Sequence, residues 1–410
     1  MKSFIIILCV YLSFQGNAQT PNQIVIGKLD SIQSEILGEE RSFYVHVPDG
    51  DTTIDAAKKR YPVVYLFDAD AQFAPAVSMI QYLSTNYNTV CPEMILVGIL
   101  HKDRKKDLTP THVNASPFSK DSTSFKTSGG GEQFISFIEK ELMPYIDSRY
   151  PTQPYKMLIG HSLGGLAVMQ TFVHHTSLFN SYICIDPSMW WDKQTLLKEA
   201  KDALEKRNFE GTSLYLGVAN TGNDGVDIKK NLADTTTRTI HMRSIFKLKG
   251  YFESNKQNGL RYQSKYYETD SHMSVPFITE YDALHFIFDF YSFNITDADE
   301  NDTTATALMN KIENHFSYAS KRMGYKITLT ETFMIGFGNY LLSKKQYEKA
   351  KLLFEYYLKN YPESAAAQES MGDYYQAIND TKNAIICFAK SLAIREDTEL
   401  RKKLEKAQGK

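Results

Sequence analysis

Short, almost uniformly apolar runs recur along the first part of the chain. The run 61–67 (YPVVYLF), which ends at Asp68, is typical of a strand buried on both faces of a parallel sheet. Further runs of this kind lie at 94–100, 156–159, 181–185, 213–218 and 260–267. Ahead of them, residues 24–47 alternate apolar and polar side chains and stop at Pro48, which indicates two antiparallel edge strands. The pattern predicts eight strands in all.

Helical patterns separate these runs. They occupy 131–148, 163–175, 192–207, 235–255 and 280–291. Strands that alternate with helices form βαβ units, in which each helix crosses one face of a parallel sheet. The fold class predicted from the pattern is therefore α/β, with a mostly parallel sheet and helices on both faces.

The fifth predicted strand runs directly into Gly160-His161-Ser162-Leu163-Gly164, after which a helical pattern begins. A G-x-S-x-G sequence between a strand and a helix is typical of a nucleophile elbow, a sharp and strained turn that exposes the serine hydroxyl above the sheet. Ser162 is therefore the predicted nucleophile. Eight strands with the elbow after the fifth are the arrangement of the α/β-hydrolase fold.

In that fold the catalytic groups follow in the order serine, acid, histidine, each on a loop at the carboxyl edge of the sheet. Three histidines lie between the helix after Ser162 and the end of the predicted domain: His241, His272 and His285. His272 lies between the last strand and the last helix, so it is the predicted general base. His241 and His285 fall within helical stretches and are predicted to be surface or packing residues.

Three aspartates compete for the role of the acid. Asp224 and Asp227 lie in the turn-rich loop after the strand 213–218, where the acid is expected, and Asp224 is preferred. Asp186, at the end of the preceding strand, is a rival because some hydrolases place the acid one strand earlier. A Ser-His dyad without an acid is a fourth possibility.

Ester chemistry also needs donors for the developing oxyanion. The backbone N–H of Leu163 is the first candidate, because Leu163 follows the nucleophile and begins the new helix. The second donor is expected from the loop after the strand 61–67, at Ala69 or Asp70, and the choice between these two stays open.

The N-terminus predicts export. Residues 1–18 combine Lys2, a short apolar run and the small residues Gly16 to Ala18, which is the pattern of a signal peptide and too short for a membrane span. The protein is then expected to be periplasmic or secreted.

Three cysteines remain after cleavage, an odd number that argues against a disulfide framework. With 46 basic and 48 acidic residues, nucleic acid is not an expected partner.

The C-terminal part of the chain has a different character. The catalytic domain is predicted to span 19–293, a polar linker and one helix 294–325, and helical repeats 326–410. The repeat has a period of 34 residues: Gly338 matches Gly372, and Phe354 matches Phe388. This spacing resembles a tetratricopeptide repeat (TPR), in which small residues let paired helices approach closely. A protein partner bound by this tail and simple packing on the catalytic domain are both possible.

Several segments together resemble the esterase D-like esterases, a group that includes the ferric-siderophore (enterobactin-type) esterases. The similar segments are 38–41 (GEER), 61–70 (YPVVYLFDAD), 92–99 (PEMILVGI), 104–110 (RKKDLTP), 130–165 and 186–191 (DPSMWW). The resemblance implies hydrolysis of carboxylic esters through a serine acyl-enzyme, without a metal or an organic cofactor.

The resemblance also implies roles for residues around the nucleophile. Trp190 and Trp191 would line the acyl pocket and Arg104 would lie near the site, and His161, beside Ser162, is a further candidate for substrate binding. The chain departs from the pattern of the group at Ala69, where glycine is more common, and in an acid loop without an obvious glutamate.

The leading functional hypothesis is an exported serine esterase that acts on a siderophore or on another aryl or acyl ester. A second hypothesis on the same fold is acyl transfer to an acceptor other than water. A third, of a different class, is an inactive hydrolase-like scaffold whose function is carried by the TPR-like tail.

Overall fold

A computed structural model of the chain describes residues 24–48, 59–85, 89–119, 121–222, 227–301 and 304–409. The predicted signal peptide lies outside these residues. Within the described ranges, no helix has the length and apolar character needed to cross a membrane.

A single sheet of eight strands forms the centre of the catalytic domain. The strands are β1 (Lys28–Ser34), β2 (Glu39–His46), β3 (Tyr61–Leu66), β4 (Ile95–Ile99), β5 (Thr152–His161), β6 (Ser181–Ile185), β7 (Ser213–Ala219) and β8 (Arg261–Tyr267). Their spatial order is β1-β2-β4-β3-β5-β6-β7-β8. Strands β1 and β2 pair antiparallel, β2 is antiparallel to β4, and all later pairs are parallel. The predicted fold class is confirmed.

Nine helices of the described chain surround this sheet. They are α1 (Ala69–Leu83), α2 (Arg104–Leu108), α3 (Gly131–Phe137), α4 (Met143–Arg149), α5 (Leu163–His174), α6 (Trp191–Lys206), α7 (Ile228–Ala233), α8 (Ile240–Ser254) and α9 (Val275–Ile287). The loop expected after β3 is short, because α1 begins at Ala69. The last helix begins earlier than its pattern predicts, since α9 starts at Val275 with Pro276 in its first turn.

Both faces of the sheet are covered, which explains the uniformly apolar runs. Along β3, Val63 and Tyr65 pack into one core cluster, which contains side chains of α3 to α6 and α8. Val64 and Leu66 pack into the other, which contains side chains of α1 and α9. The carboxyl ends of β3, β5, β6, β7 and β8 share one edge of the sheet, because these strands are parallel.

The C-terminal tail is entirely helical. Its helices are α10 (Asp297–Asn301), α11 (Ala305–Met323), α12 (Glu331–Ser343), α13 (Tyr347–Asn360), α14 (Ala365–Ala377), α15 (Thr381–Ile394) and α16 (Thr398–Ala407). A Cβ atom added to Gly338 would lie 2.2 Å from the ring of Phe354, and one added to Gly372 would lie 2.4 Å from the ring of Phe388. The paired helices therefore approach as closely as the 34-residue repeat predicts.

Helix α11 joins the tail to the catalytic domain. Ala319 and Met323 are buried in the core cluster that contains α1 and α9. One to three turns earlier on the same face of the helix, Ile312 and Phe316 pack into the core of the tail. Arg322 Nη2 lies 3.2 Å from Ser213 Oγ, at the beginning of β7. The tail thus docks near the amino edge of the sheet, opposite the carboxyl edge.

This docking predicts a stability effect. We expect Met323→Ala to lower the free energy of unfolding by about 2–5 kcal/mol, because it leaves a cavity in the shared core. The exposed Ser317, on the same helix, provides the control: Ser317→Ala should change stability by no more than about 0.5 kcal/mol. Urea unfolding monitored by tryptophan fluorescence measures both, since both tryptophans lie in the catalytic domain. Equal effects of the two substitutions would contradict the docking.

Candidate active site

The turn between β5 and α5 has the geometry of a nucleophile elbow. Ser162, its central residue, has φ 60° and ψ −112°, a backbone conformation that side chains other than glycine rarely adopt. A Cβ atom on Gly160 would lie 2.5 Å from the backbone of Gly164, so the turn closes this tightly only with glycine. The local sequence therefore dictates the turn, and the turn places Ser162 at the carboxyl edge of the sheet.

His272 lies next to Ser162, as the order of the fold predicts. It is on the loop between β8 and α9, and its Nε2 is 3.0 Å from Ser162 Oγ. This is hydrogen-bond distance for transfer of the hydroxyl proton. The 110 residues between the two side chains are spanned because β5 and β8 end at the same edge of the sheet.

The carboxylate that contacts His272 belongs to Asp186. His272 Nδ1 is 2.6 Å from Asp186 Oδ2, and Asp186 Oδ1 accepts a hydrogen bond of 2.9 Å from the N–H of Ala219. Asp186 directly follows β6 and is fully buried, with 0% of its surface exposed. Asp186, the alternative one strand before the preferred loop, is therefore the carboxylate that contacts His272.

Of the two aspartates of the preferred loop, the structure describes one, Asp227, which lies elsewhere. Asp224 lies outside the described residues. Asp227 is the N-cap of α7, where its Oδ1 accepts a hydrogen bond of 2.8 Å from the N–H of Lys229. Asp224 is the expected acid because hydrolases usually carry the acid after the strand that corresponds to β7. Here the carboxylate at the end of the neighbouring strand β6 contacts His272.

His241 is a second histidine on the same carboxylate, and its assignment as a packing or surface residue was wrong. Its Nε2 is 2.8 Å from Asp186 Oδ2, and its ring stands nearly perpendicular to that of His272 at a centroid distance of 5.1 Å. A topological signal was available. A helix that connects parallel β7 to β8 must begin at the carboxyl edge, so the first turn of α8 lies at the site. His285, by contrast, is on the exposed face of α9, as predicted.

The hydrogen bonds to Asp186 determine its charge. Burial alone would raise the pKa of this carboxyl group, but the hydrogen bonds from His241, His272 and the N–H of Ala219 outweigh burial and hold its pKa well below the ordinary value. Asp186 is therefore ionised and can only accept. His272 must present its Nδ1–H to Asp186, which leaves the lone pair on Nε2 to accept the proton of Ser162.

The candidate oxyanion donors lie at two neighbouring helix N-termini. Leu163 is the first residue of α5, and Ala69 and Asp70 are the first two of α1. The initial N–H groups of a helix have no partner within it. The two helix starts are close together, since a Cβ atom on Gly164 would lie 3.1 Å from Asp68 Oδ2. Ala69 and Asp70 both stay candidates for the second donor.

Arg104 lies beside this loop, where the resemblance places it, but its guanidinium is engaged by the protein. Its Nε is 2.5 Å from Asp68 Oδ1, its Nη2 is 2.8 Å from Asp68 Oδ2, and the same Nη2 is 3.4 Å from the carbonyl oxygen of His161. Asp68 has φ 55°, on the left-handed side of backbone space. Arg104 therefore ties the loop before α1 to the elbow.

A buried polar network supports Asp68 from below. The N–H of Asp68 is 3.4 Å from His101 Nε2, and His101 Nδ1 is 3.0 Å from Asp107 Oδ2. Asp107 also pairs with Arg41 Nη2 at 2.5 Å, and both side chains are almost fully buried. Arg41 and Asp107 belong to two of the segments that carry the family resemblance. Through His101, they support the backbone at Asp68 without contacting it.

The two neighbouring tryptophans have different environments. Trp191 is 2% exposed, donates its Nε1–H to the carbonyl of Thr111 at 3.1 Å and packs against Phe125. It is therefore a core residue and not a lining of the acyl pocket. Trp190 is half-buried, and the exposed ring of Phe118 contacts it edge-on at a centroid distance of 5.0 Å.

The segment that carries the tryptophans lies against the nucleophile. Ser188 Oγ is 3.5 Å from Ser162 Oγ, and the N–H of Ser188 donates to the carbonyl of Ser162 at 3.0 Å. Trp190 follows two residues later. The Trp190–Phe118 pair therefore lies close in the chain to a residue that contacts the nucleophile.

His161 packs under the proposed base instead of facing a substrate. It is 9% exposed, and its ring centroid is 4.4 Å from that of His272. Its Nε2 has no hydrogen-bond partner among the described residues. Burial, reinforced by the repulsion that two protonated rings of His161 and His272 would exert on each other, lowers the pKa of His161 to about 4. At neutral pH, His161 is therefore an uncharged, buried side chain that packs against His272.

The pKa of His161 predicts a pH dependence of stability. Its value in the folded state, about 4, lies below the 6.5 of an ordinary histidine, so the unfolded chain binds more protons between these pH values. The contribution of His161 is complete above about pH 6.5 and is lost as the pH falls to 4, with an upper bound of about 3 kcal/mol. Urea unfolding at pH 7 and 4.5 should therefore show a smaller pH effect for His161→Gln than for the parent. The exposed His285→Gln is the control, and equal pH effects in all three proteins would rule out the buried neutral state.

Comparison with known proteins identifies the family of the chain. The family model described as "Putative esterase" matches residues 34–258, more than half of the chain. The ferri-bacillibactin esterase BesA of Bacillus subtilis is 30% identical over 215 residues, which span 49% of this chain and 73% of BesA. An IroE-like serine hydrolase from Shewanella oneidensis superposes with a TM-score of 0.67 at 27% identity and covers 80% of this chain and 97% of its own.

A further solved structure extends the similarity of fold into the tail. An uncharacterised protein from Capnocytophaga ochracea covers 94% of this chain and 100% of its own with a TM-score of 0.62, at 19% identity. This likeness concerns the fold alone. From the family match and the relatives together, the chain belongs to the esterase family of α/β-hydrolases and is a hydrolase that acts on esters.

Proposed function

We propose that the chain is an exported serine esterase in which Ser162 is the nucleophile, His272 the general base and Asp186 the acid. The observation that carries the proposal is the unbroken hydrogen-bonded series from Ser162 Oγ through the ring of His272 to the buried Asp186. It starts at a nucleophile elbow and ends on an ionised carboxylate, the arrangement that activates a serine hydroxyl. The predicted signal peptide, residues 1–18, supports export.

In the acylation step, Ser162 Oγ attacks the ester carbonyl carbon while His272 Nε2 takes the hydroxyl proton. The negative charge that develops on the carbonyl oxygen is stabilised by the N–H of Leu163 and by a second N–H from Ala69 or Asp70. Asp186 stabilises the imidazolium that forms. When the tetrahedral intermediate collapses, His272 returns the proton to the leaving alcohol, and the acyl group stays on Ser162.

Deacylation repeats these steps with water. His272 Nε2 removes a proton from a water molecule that attacks the acyl carbon, and it then protonates Ser162 Oγ as the carboxylic acid leaves. The three side chains and the two backbone donors suffice for both half-reactions. The N-terminus of α5 points its dipole toward the same position.

The proposed substrates are siderophore esters that carry aromatic acyl groups. Two observations support this class. BesA, 30% identical, is named a ferri-bacillibactin esterase. The Trp190–Phe118 pair offers aromatic surface two residues along the chain from Ser188, and the side chain of Phe118 is 55% exposed.

Kinetics on a substrate panel test this proposal. The panel comprises ferric catecholate trilactone siderophores, a ferric hydroxamate ester siderophore, a feruloyl sugar and a short-chain acyl ester. We expect the highest kcat/KM for the catecholate trilactones, and we expect Trp190→Ala to lower that value about tenfold while a short acyl ester is hydrolysed as before. A higher kcat/KM for the short acyl ester would contradict the substrate class, and no hydrolysis of any compound would contradict the activity.

A further inference from the structure

We infer that His241 is a positioning residue of the proposed esterase, which holds the Asp186 carboxylate in the orientation that His272 requires. The inference rests on the proposed function, because it concerns the same site. It assigns a role to a second histidine that the three-residue mechanism does not use.

One oxygen of Asp186 serves both histidines. Oδ2 is 2.6 Å from His272 Nδ1 and 2.8 Å from His241 Nε2, while Oδ1 is held by the N–H of Ala219. An ionised carboxylate only accepts, so each imidazole must direct an N–H at Oδ2. The three donors come from three places in the fold: the first turn of α8, the loop after β8 and the end of β7. Together they leave the buried carboxylate little freedom to rotate.

The same three side chains could in principle be ligands of a divalent ion, since their donor atoms lie within 4.8 Å of one another. Their spacing argues against this. Tetrahedral zinc, with ligand distances of about 2.1 Å, separates neighbouring donor atoms by about 3.3 Å. The nitrogen-to-oxygen distances of 2.6 and 2.8 Å are instead typical of N–H···O hydrogen bonds to a carboxylate. His241 therefore acts on Asp186 as a hydrogen-bond donor.

Loss of this donor has a defined consequence for catalysis. Asp186 would keep only the hydrogen bonds from His272 and from the N–H of Ala219. Its side chain could then rotate so that Oδ2 no longer faces His272 Nδ1. The imidazolium of His272 forms only as the reaction proceeds, so weaker support for it affects the transition state more than the bound substrate. The expected change is in kcat and not in KM.

Two substitutions of His241 test the inference. His241→Leu removes the donor, and we expect kcat for a chromogenic ester to fall about 10- to 100-fold with KM unchanged. His241→Gln can place a side-chain N–H near the former Nε2, and we expect it to recover kcat to within about threefold of the parent. The exposed His285→Leu is the matched control and should match the parent.

A spectroscopic readout separates positioning from general destabilisation. Proton NMR of the parent should show a downfield N–H signal from the short His272–Asp186 hydrogen bond. This signal should shift in His241→Leu and stay in place in His241→Gln, with both variants folded by circular dichroism.

Three results would overturn the inference. The first is parental kcat in His241→Leu, and the second is a His241→Gln variant as slow as His241→Leu. The third is loss of parental activity in a chelator with recovery on addition of Zn²⁺, which would make His241 a metal ligand. Ser162→Ala is assayed in parallel. If its kcat collapses while His241→Leu keeps parental kcat, the inference alone fails, whereas near-parental activity in Ser162→Ala would overturn the proposed function itself.

Discussion

The Asp186→Asn variant is expected to lose about 10⁴-fold in kcat while it keeps its fold. An amide at this position presents only one acceptor oxygen, whereas Asp186 accepts from His241, His272 and the N–H of Ala219. If the amide NH₂ faces His272, the ring must accept at Nδ1 and carry its proton on Nε2. That tautomer donates to Ser162 and cannot remove its proton, so the serine is no longer activated.

The control for Asp186→Asn is the loop that the sequence favours. Asp227→Asn removes only an N-cap carboxylate on α7, and asparagine caps helices nearly as well, so activity should match the parent. Asp224→Asn is assayed beside it. Stopped-flow or steady-state kinetics on one chromogenic ester at pH 7 compares the three proteins. Parental kcat in Asp186→Asn with a large loss in Asp224→Asn would move the acid back to the loop after β7.

Ser162→Ala should lower kcat by about 10⁵- to 10⁶-fold, the larger of the two losses. The substitution removes the only oxygen that lies both on the elbow and within 3.0 Å of His272 Nε2 in the described structure. Residual hydrolysis would come from the oxyanion donors and from substrate binding alone.

Ser188 supplies a matched control for this variant. Its Oγ lies 3.5 Å from Ser162 Oγ in the same site, but it has no contact with His272 among the described hydrogen bonds. We expect Ser188→Ala to stay within about tenfold of the parental kcat, since it deletes one long hydrogen bond. Comparable losses in the two variants would show that the reaction does not depend on a single nucleophile.

The geometry of the elbow and the place of His272 could be predicted because they depend on local sequence and on chain order. The elbow follows from glycines at 160 and 164, because the turn itself forbids a side chain at Gly160. The place of His272 follows from chain order in the fold. The apolar runs predict strands such as β3 because both faces of the sheet are covered.

The acid partner could not be chosen from the sequence because it depends on reach across the sheet. Asp186, Asp224 and Asp227 all follow strands that end at the same edge, and turn formers surround the last two. Only the relative positions of β6, β7 and the loop after β8 show which carboxylate contacts His272. His241 was missed for a related reason: a helical pattern describes the periodicity of α8 but not the edge at which its first turn lies.

The tail shows the same division between local and long-range information. The 34-residue period predicts the close pairs Gly338–Phe354 and Gly372–Phe388, which are contacts between adjacent helices. The docking of α11 on the amino edge of the sheet involves distant residues and has no local signature. These contacts of α11 lie at the edge of the sheet opposite Ser162. A protein partner for the tail stays a prediction.

Covalent labelling shows whether Ser162 is the nucleophile. The purified, folded protein is treated with a fluorophosphonate, and the adduct is counted by intact-protein mass spectrometry and located by peptide mapping. We expect one adduct per chain, on Ser162, which is absent in Ser162→Ala and forms far more slowly in Asp186→Asn. An unlabelled protein that still hydrolyses esters, or an adduct on another serine, would contradict this assignment.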